Sequence, residues 1–299
     1  MRILVTGANG FLGRRLLAQE GAAEWVGCGR GAATVGVPYW QLELTDRDAV
    51  AALVAEVAPD WVVNAAAMTN VDQCEEDADA ARRANVEIVE HLAAVCGDAG
   101  VGLVQISTDY VFDGAAGPYA EGDATNPLSN YGRLKLESES LLRGLERALV
   151  VRTLWLYGYV PGTGANFTTW SLETLAAGEP LRVFADQWGN PTYVPDLART
   201  LVELCRAEVS GLFHMGGATF MTRHDLALAL ADFFDLDSAL VQPVPTGEVG
   251  LKAERPLRSG LKTDTLEAIL GRRPLGFSEG LECMARDPDF RRDFPQFAR

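Results

Sequence analysis

The chain has 299 residues, 48% of them hydrophobic and 22% charged, enough to bury a sizeable core in one large domain or two interleaved ones. Its formal net charge of -15 excludes a general nucleic-acid-binding or anionic-membrane surface, because both partners are polyanions. The cysteines (Cys28, Cys74, Cys96, Cys205, Cys283) are odd in number and contain no Cys-x-x-Cys pair, so they read as buried thiols in a reducing compartment rather than as zinc or redox ligands.

Met1 to Thr6 is a short apolar run rich in β-branched residues and reads as a strand, with no basic-then-apolar leader before it. No uncharged apolar run reaches membrane-spanning length, so no membrane partner and a cytoplasmic location are expected. The segment Gly7-Ala8-Asn9-Gly10-Phe11-Leu12-Gly13 follows at once and leads into the helical pattern 14–19. Strand, glycine turn and helix suit a pyrophosphate, since the turn lets the backbone come close and the helix N-terminus stabilises the charge. The Gly-x-x-Gly-x-x-Gly spacing differs from the Gly-x-Gly-x-x-Gly form, and a plain turn is the alternative. A second strand over 24–28 ends in Gly29-Arg30-Gly31, where an NAD-selective site is expected to carry an acid. Arg30 suits a 2′-phosphate, with Arg14 as a second contact, which favours NADPH and leaves NADH as the alternative; a solvated loop arginine is the competing reading.

Further strands are expected over 39–42, 61–64, 101–107 and 149–153, separated by helices around 46–57, 75–98 and 130–146. This alternation predicts an α/β, doubly wound parallel sheet with right-handed crossovers. Ligands bind at the carboxyl ends of such strands, where Gly7, Arg30, Glu43, Asn64 and Thr108 all fall. The small residues Asn64-Ala65-Ala66-Ala67 let a cofactor lie close to the backbone, with tight core packing as an equal explanation. The acidic group Asp72, Glu75, Glu76 and Asp77 reads as a negatively charged helix start, and no metal site is expected. The three histidines, His91, His214 and His224, read as structural.

The stretch from Ser107 to Lys135 carries the chemistry. Tyr131 and Lys135 are four residues apart, which places both on one helix face and predicts a phenol whose pKa is lowered by a neighbouring ammonium. Reducing a carbonyl needs a proton for oxygen and a second donor to hold it, a role that falls to Thr108 at the end of the preceding strand. An ordinary surface pair is the alternative for Tyr-x-x-x-Lys, but the chain has only three lysines, Lys135, Lys252 and Lys262.

In the second half a helix is expected over 166–177, a strand over 181–184, a polar and aromatic loop over 186–193, a helix over 195–205 and a strand over 212–215 that rejoins the first sheet. The domain reading is residues 1–157 for dinucleotide binding, completed by about 196–217, with 158–299 mainly a smaller α/β substrate-binding domain.

These residues together resemble the extended short-chain dehydrogenase/reductase superfamily, and within it the dTDP-4-dehydrorhamnose reductase family. Gly7, Gly10 and Gly13, the pair Glu43-Leu44, Asn64 to Ala67 and Arg83-Ala84-Asn85-Val86 follow the superfamily pattern. Ser107 to Gly114, Asn126 to Gly132, Arg152 to Trp155, Asn166-Phe167, Asp186 to Tyr193 and Arg255-Pro256 follow the family. The resemblance implies a catalytic set of Thr108, Tyr131 and Lys135, with Tyr131 and Lys135 also touching the cofactor. It implies cofactor contacts from Gly7, Asn9, Gly10, Phe11, Leu12, Gly13, Glu43, Leu44 and Asn64 through Ala65 and Ala66 to Ala67; Glu43, where aspartate is common, and Gly29-Arg30-Gly31 depart from the family pattern, and Arg30 stands as a cofactor contact on the reading above. Substrate contacts are implied at Thr108, Asp109, Tyr110, Trp155, Asn166, Gln187, Thr192 and Arg255; on a chain of net charge -15 a diphosphate must be met locally, and Arg255 and Arg258 are the candidates by sequence context, with a loop cap or a carboxylate pair as the alternative for Arg255. The implied reaction is NAD(P)H-dependent reduction of the 4-keto group of a nucleotide-linked 6-deoxysugar, with a homodimer as one option for assembly. A sugar-nucleotide epimerase and a catalytically silent subunit resembling the methionine adenosyltransferase β-subunit remain as alternatives. A dehydratase is disfavoured, since Asp109 is followed by Tyr110 where an acidic base is needed.

Overall fold

In the computed structural model, which describes residues 1–297, the first half folds as β1 (Arg2–Thr6), α1 (Phe11–Leu17), β2 (Glu24–Gly29), β3 (Tyr39–Gln41), α2 (Arg47–Val57), β4 (Trp61–Asn64), α3 (Val71–Glu76), α4 (Ala78–Arg82), α5 (Ile88–Ala99), β5 (Gly102–Thr108), α6 (Asn130–Leu141) and β6 (Ala148–Thr153). The strands are near-continuous apolar runs because both faces of the sheet are covered. The single helix expected over 75–98 is broken. Asp77 leaves helical geometry and accepts from the Ala80 backbone N–H, capping α4. A π-helical turn over Arg83–Glu87 then seats buried Asn85, which accepts from the Met68 N–H and donates to the Met68 carbonyl, fastening the loop after β4.

The second half supplies β7 (Leu156–Tyr157), α7 (Phe167–Ala176), β8 (Leu181–Phe184), β9 (Trp188–Gly189), β10 (Thr192–Tyr193), α8 (Val194–Arg206), β11 (Gly211–Met215), β12 (Met221–Thr222), α9 (Arg223–Phe233), β13 (Val241–Val244), α10 (Asp264–Leu270), α11 (Phe277–Arg286) and α12 (Pro288–Asp293). The main sheet has the order β11-β6-β5-β4-β1-β2-β3, and every pairing in it is parallel. β11 lies against β6, so residues 211–215 belong to this sheet.

One face of the sheet packs on α1 and α8 through Leu16, Leu197 and Leu201, and the other on α2 and α5 through Leu53, Val54, Val89 and Leu92. A third apolar cluster in the second half gathers Tyr157, Leu172, Leu226, Phe277 and Phe290. Cysteines 28, 74, 96 and 205 are buried, whereas Cys283 on α11 is exposed, contrary to the sequence expectation. Among the described residues no helix is long and apolar enough to cross a membrane. The strand order reverses between β1 and β4, and it is at this switch point that a doubly wound sheet opens a crevice beyond its carboxyl ends.

Candidate active site

At the switch point the turn after β1 meets the loop after β4. Gly7 has φ +63, and a Cβ there would stand 2.8 Å from the Ala65 carbonyl and the Ala66 nitrogen. A Cβ on Gly13 would stand 2.3 Å from the Gly7 carbonyl oxygen, so α1 packs against the turn at a distance only glycine permits. Such a cradle fits a dinucleotide pyrophosphate, since backbone rather than side chains forms its wall. Gly10 is exposed, and Ala65 to Ala67 are partly or fully open.

Several of the expected cofactor residues shape this cradle from behind. Asn64 is buried; its Oδ1 accepts from Thr6 and from the Ala66 N–H, and its Nδ2 donates to Gln105 at 2.7 Å. It fixes the loop path and has no free polar atom for a ligand. Leu44 is core, packed with Val26, Cys28 and Val50, and Leu12 is core beneath α1, while Phe11 packs at the edge of the same cluster. Both leucine side chains are buried. Asn9 donates to the Ala32 carbonyl and accepts from the Thr34 hydroxyl, holding the loop after β2. Arg14 is occupied by the carbonyls of Asn9 and Pro161 and by Thr34, which removes it as a 2′-phosphate ligand. Arg30 and Glu43 are exposed at the rim. Beside Gly29 stands the Tyr39 hydroxyl, which donates to the Gly31 carbonyl.

The catalytic set assembles where β5 and α6 meet. The Thr108 hydroxyl accepts from the Tyr110 N–H and donates to Asp109, each at 3.2 Å, and acts on the neighbouring Tyr131 phenol. Ser129 caps α6 by accepting from the Gly132 N–H, which fixes Tyr131 in the first turn. Burial pushes the Tyr131 phenol up, with the Thr108 hydroxyl opposing. The expected lowering by Lys135 is therefore not what the geometry gives. Lys135 turns to the sheet, and its Nζ donates to the Ile106 carbonyl at 2.6 Å. Burial pushes the Lys135 ammonium down to about 8, against the pull of Glu139. A phenol that stays protonated at neutral pH is nonetheless the state a proton donor needs.

Beyond Tyr131 lies a cleft of about 380 Å³ lined by Tyr110, Phe167, Trp170, Arg182, Gln187, Arg223 and Arg255. The Tyr110 ring meets Tyr131 edge-on, with centroids 5.8 Å apart, which joins the cleft to the catalytic corner. Arg255 pairs with Asp72 at 3.0 Å, but its buried Nη1 has no hydrogen-bond partner. Gln187 donates to Thr246 and accepts from Arg223 Nε at 3.1 Å.

Other expected substrate residues stand outside this cleft. Asp109 is 1% exposed, accepts from Ser259 at 2.6 Å and from Thr108, and so anchors the 255–260 segment to β5. Burial pushes its carboxyl up to about 6, with the Ser259 and Thr108 hydrogen bonds opposing. Thr192 is fully buried and its hydroxyl donates to the Asn190 carbonyl, because β10 pairs inward with β7. Asn166 caps α7 through the Thr168 and Thr169 N–H groups and donates to the Gly158 carbonyl; it borders a separate cavity of about 410 Å³ beside Tyr159 and Glu173. Arg258 lies over Trp188 and Phe220 and donates to the Gly117 carbonyl, away from the diphosphate position assigned to it. Trp155, with φ +43, stands behind Arg223, whose guanidinium covers its ring at 4.1 Å.

Arg223 and Arg182 were not identified from sequence. Arg223 is the first residue of α9, and the capping box of Thr222 and Asp225 marks that helix start in the sequence. The signal locates the helix but not the cleft it faces.

The family described as the RmlD substrate binding domain matches residues 1–289. The dTDP-4-keto-6-deoxy-D-glucose reductase of Streptomyces niveus is 39% identical over 259 residues, which cover 85% of this chain and 86% of the relative. The methionine adenosyltransferase 2 subunit beta of Danio rerio is 35% identical over 278 residues, 90% of this chain and 84% of the relative. A crystal structure of the dTDP-4-dehydrorhamnose reductase of Bacillus anthracis in complex with NADP superposes with a TM-score of 0.85 at 30% identity, covering 95% of this chain and 98% of that one.

Proposed function

The chain belongs to the RmlD substrate binding domain family of the extended short-chain dehydrogenase/reductases, and from that premise we propose that it reduces the 4-keto group of a nucleotide-linked 6-deoxysugar, taking dTDP-4-dehydro-L-rhamnose to dTDP-L-rhamnose. The observation that carries this reading is the junction of three features: a backbone cradle at Gly7 and Gly13, a protonated phenol beside a threonine hydroxyl, and an arginine-lined cleft. NADPH, with NADH as the alternative, supplies the hydride when bound in the cradle. Gly7, Gly10, Gly13 and Ala65 to Ala67 would hold its pyrophosphate side and Arg30 its 2′-phosphate. Tyr131 donates the proton to the sugar oxygen as negative charge develops there, and the Thr108 hydroxyl, turning from Asp109, holds that oxygen. Lys135 adds a positive charge to the same buried corner. Arg255 and Arg223 meet the diphosphate that a net charge of -15 would otherwise repel.

The relationship to the methionine adenosyltransferase β-subunit keeps a silent-subunit reading in play, because such a subunit can share the fold without turnover. Incubating the purified chain alone with NADPH and a dTDP-4-keto-6-deoxysugar separates the two. The reductase reading requires NADPH to be consumed in step with the keto sugar; a chain that binds NADPH and consumes none is a binding subunit.

A further inference from the structure

Tyr131, Lys135 and Glu139 follow one another at four-residue spacing along α6, so their side chains form a column on one face of the helix. In the sheet beneath, Ser107, Arg152 and His214 share one register row across β5, β6 and β11. Column and row cross at Glu139. Arg152 Nε and Nη2 donate to its two carboxylate oxygens at 2.9 and 2.7 Å, and the Ser107 hydroxyl donates to the first of them. Arg152 Nη1 meets His214 Nε2 at 3.3 Å, while His214 Nδ1 faces the Tyr119 carbonyl at 3.1 Å. An arginine can only donate, so Nε2 accepts and Nδ1 carries the proton, which makes His214 a neutral strut.

We propose that Glu139, clamped by Arg152, is a positioning residue that holds Lys135 in its charged state behind Tyr131. For its effect on turnover this rests on the reductase reading above. A buried ion pair is weak evidence for a stabilising role, since apolar groups of similar size often replace one without loss. The placement points elsewhere: Glu139 is the anion on the lysine's own face, one helical turn on. The buried set contains two cations, Lys135 and Arg152, and one anion, and Arg152 occupies both carboxylate oxygens. The carboxylate is hydrogen-bonded to Arg152 and Ser107, and it acts on Lys135 through space from one helical turn away.

The other groups around α6 do not offer a second one. β5 presents the Ile106 carbonyl to Lys135, and Asp109 just beyond it acts on Tyr131. From α3 come Cys74, near Tyr131, and Glu75, which accepts from the Asn130 N–H at the helix start. The Arg82–Glu137 pair between α4 and α6 lies on the exposed outer face.

Opposite shifts are expected from the two partners. Glu139→Gln removes the carboxylate that acts on Lys135, so Lys135 loses its proton at lower pH. Arg152→Met gives Lys135 the whole carboxylate, so it holds its proton to higher pH. The double variant removes a cation and an anion together and returns the midpoint towards wild type. Because the chain has three lysines, the full-length protein labelled with 13Cε-lysine gives three side-chain signals, and Lys135→Arg assigns the buried one. Its titration midpoint in wild type is expected near 8. Each single variant is expected to move it by about one unit, a tenfold change in acid constant, in opposite directions.

The alkaline limb of kcat/KM should follow the same midpoints. Single variants that shift the midpoint the same way, or not at all, overturn the proposal, since a purely structural pair would give no such signed pattern. If Arg152→Met fails to fold, Glu139→Gln against the double variant carries the same test, lowered in one and restored in the other. Midpoints that move in a chain that never consumes NADPH would sink the reductase reading and leave the charge arrangement standing. Turnover with unmoved midpoints would do the reverse.

Discussion

The catalytic corner and the arginine cleft adjoin through Tyr110, yet they are built in different ways. Thr108, Tyr131 and Lys135 come from one strand end and one helix, are buried, and are fixed by the Ser129 cap and the Ile106 carbonyl. The cleft draws single residues from widely separated segments: Tyr110 after β5, Gln187 before β9, Arg223 on α9 and Arg255 in the 255–260 segment. The first arrangement preorganises a proton donor; the second gathers charge around an anion with side chains that, Gln187 apart, are partly exposed. Changes in the corner should therefore act on kcat, and changes in the cleft on KM.

The largest effect should come from Tyr131→Phe, which removes the donated proton and nothing else. We expect kcat to fall by about 10²- to 10⁴-fold, the range for losing a general acid, while NADPH affinity by fluorescence titration stays near wild type. A parallel loss of cofactor affinity would erase the distinction between the two regions. Next, Arg255→Ala should raise the substrate KM roughly 10-fold to 150-fold, the equivalent of about 1.5 to 3 kcal/mol for a charged hydrogen bond, with kcat much less affected. Arg223→Lys sharpens the point, because it keeps the charge and loses the flat stack on Trp155; a KM close to that of wild type would mean that charge alone matters there.

A third test concerns pH and stability. The folded Asp109 carboxyl titrates near 6 rather than its ordinary 3.8, so its contribution to stability is full below about 3.8 and is lost as pH rises through 6. Asp109→Asn should flatten the fall in unfolding free energy, measured by urea titration between pH 4 and 6, by up to about 3 kcal/mol. An unchanged profile would assign the fall to other groups. The smallest effect is expected at Arg30. Because the side chain is exposed, Arg30→Ala should weaken NADPH by about 5-fold, near 1 kcal/mol, and leave NADH alone; equal losses for both cofactors would remove its 2′-phosphate role.

What could be read from the sequence follows the same division. The alternation of strands and helices, the glycines at 7 and 13 and the Tyr131–Lys135 spacing are local patterns, and each survives because its cause is local: a close backbone approach or one helical period. The break at Asp77 and the π-turn at Asn85 were missed because apolar periodicity runs through them. The break comes from the Asp77 side chain capping α4, and the π-turn seats Asn85 to bond Met68, seventeen residues earlier. Thr192, Asn166 and Asp109 look like polar ligands in sequence, yet burial and capping consume their hydrogen bonds. Arg223 shows the converse. Its partners, Trp155 and Gln187, are distant in the chain, so no motif announces it.

On the reductase reading, hydride reaches the sugar's keto carbon while this chain supplies the proton. Incubating the purified protein with NADPH deuterated on the transferring face and a dTDP-4-keto-6-deoxysugar, then locating the label by NMR, tests it most directly. The account predicts one deuterium on C4 of the product for each NADP+ formed. A product epimerised without deuterium, or NADPH bound and left intact, would contradict it.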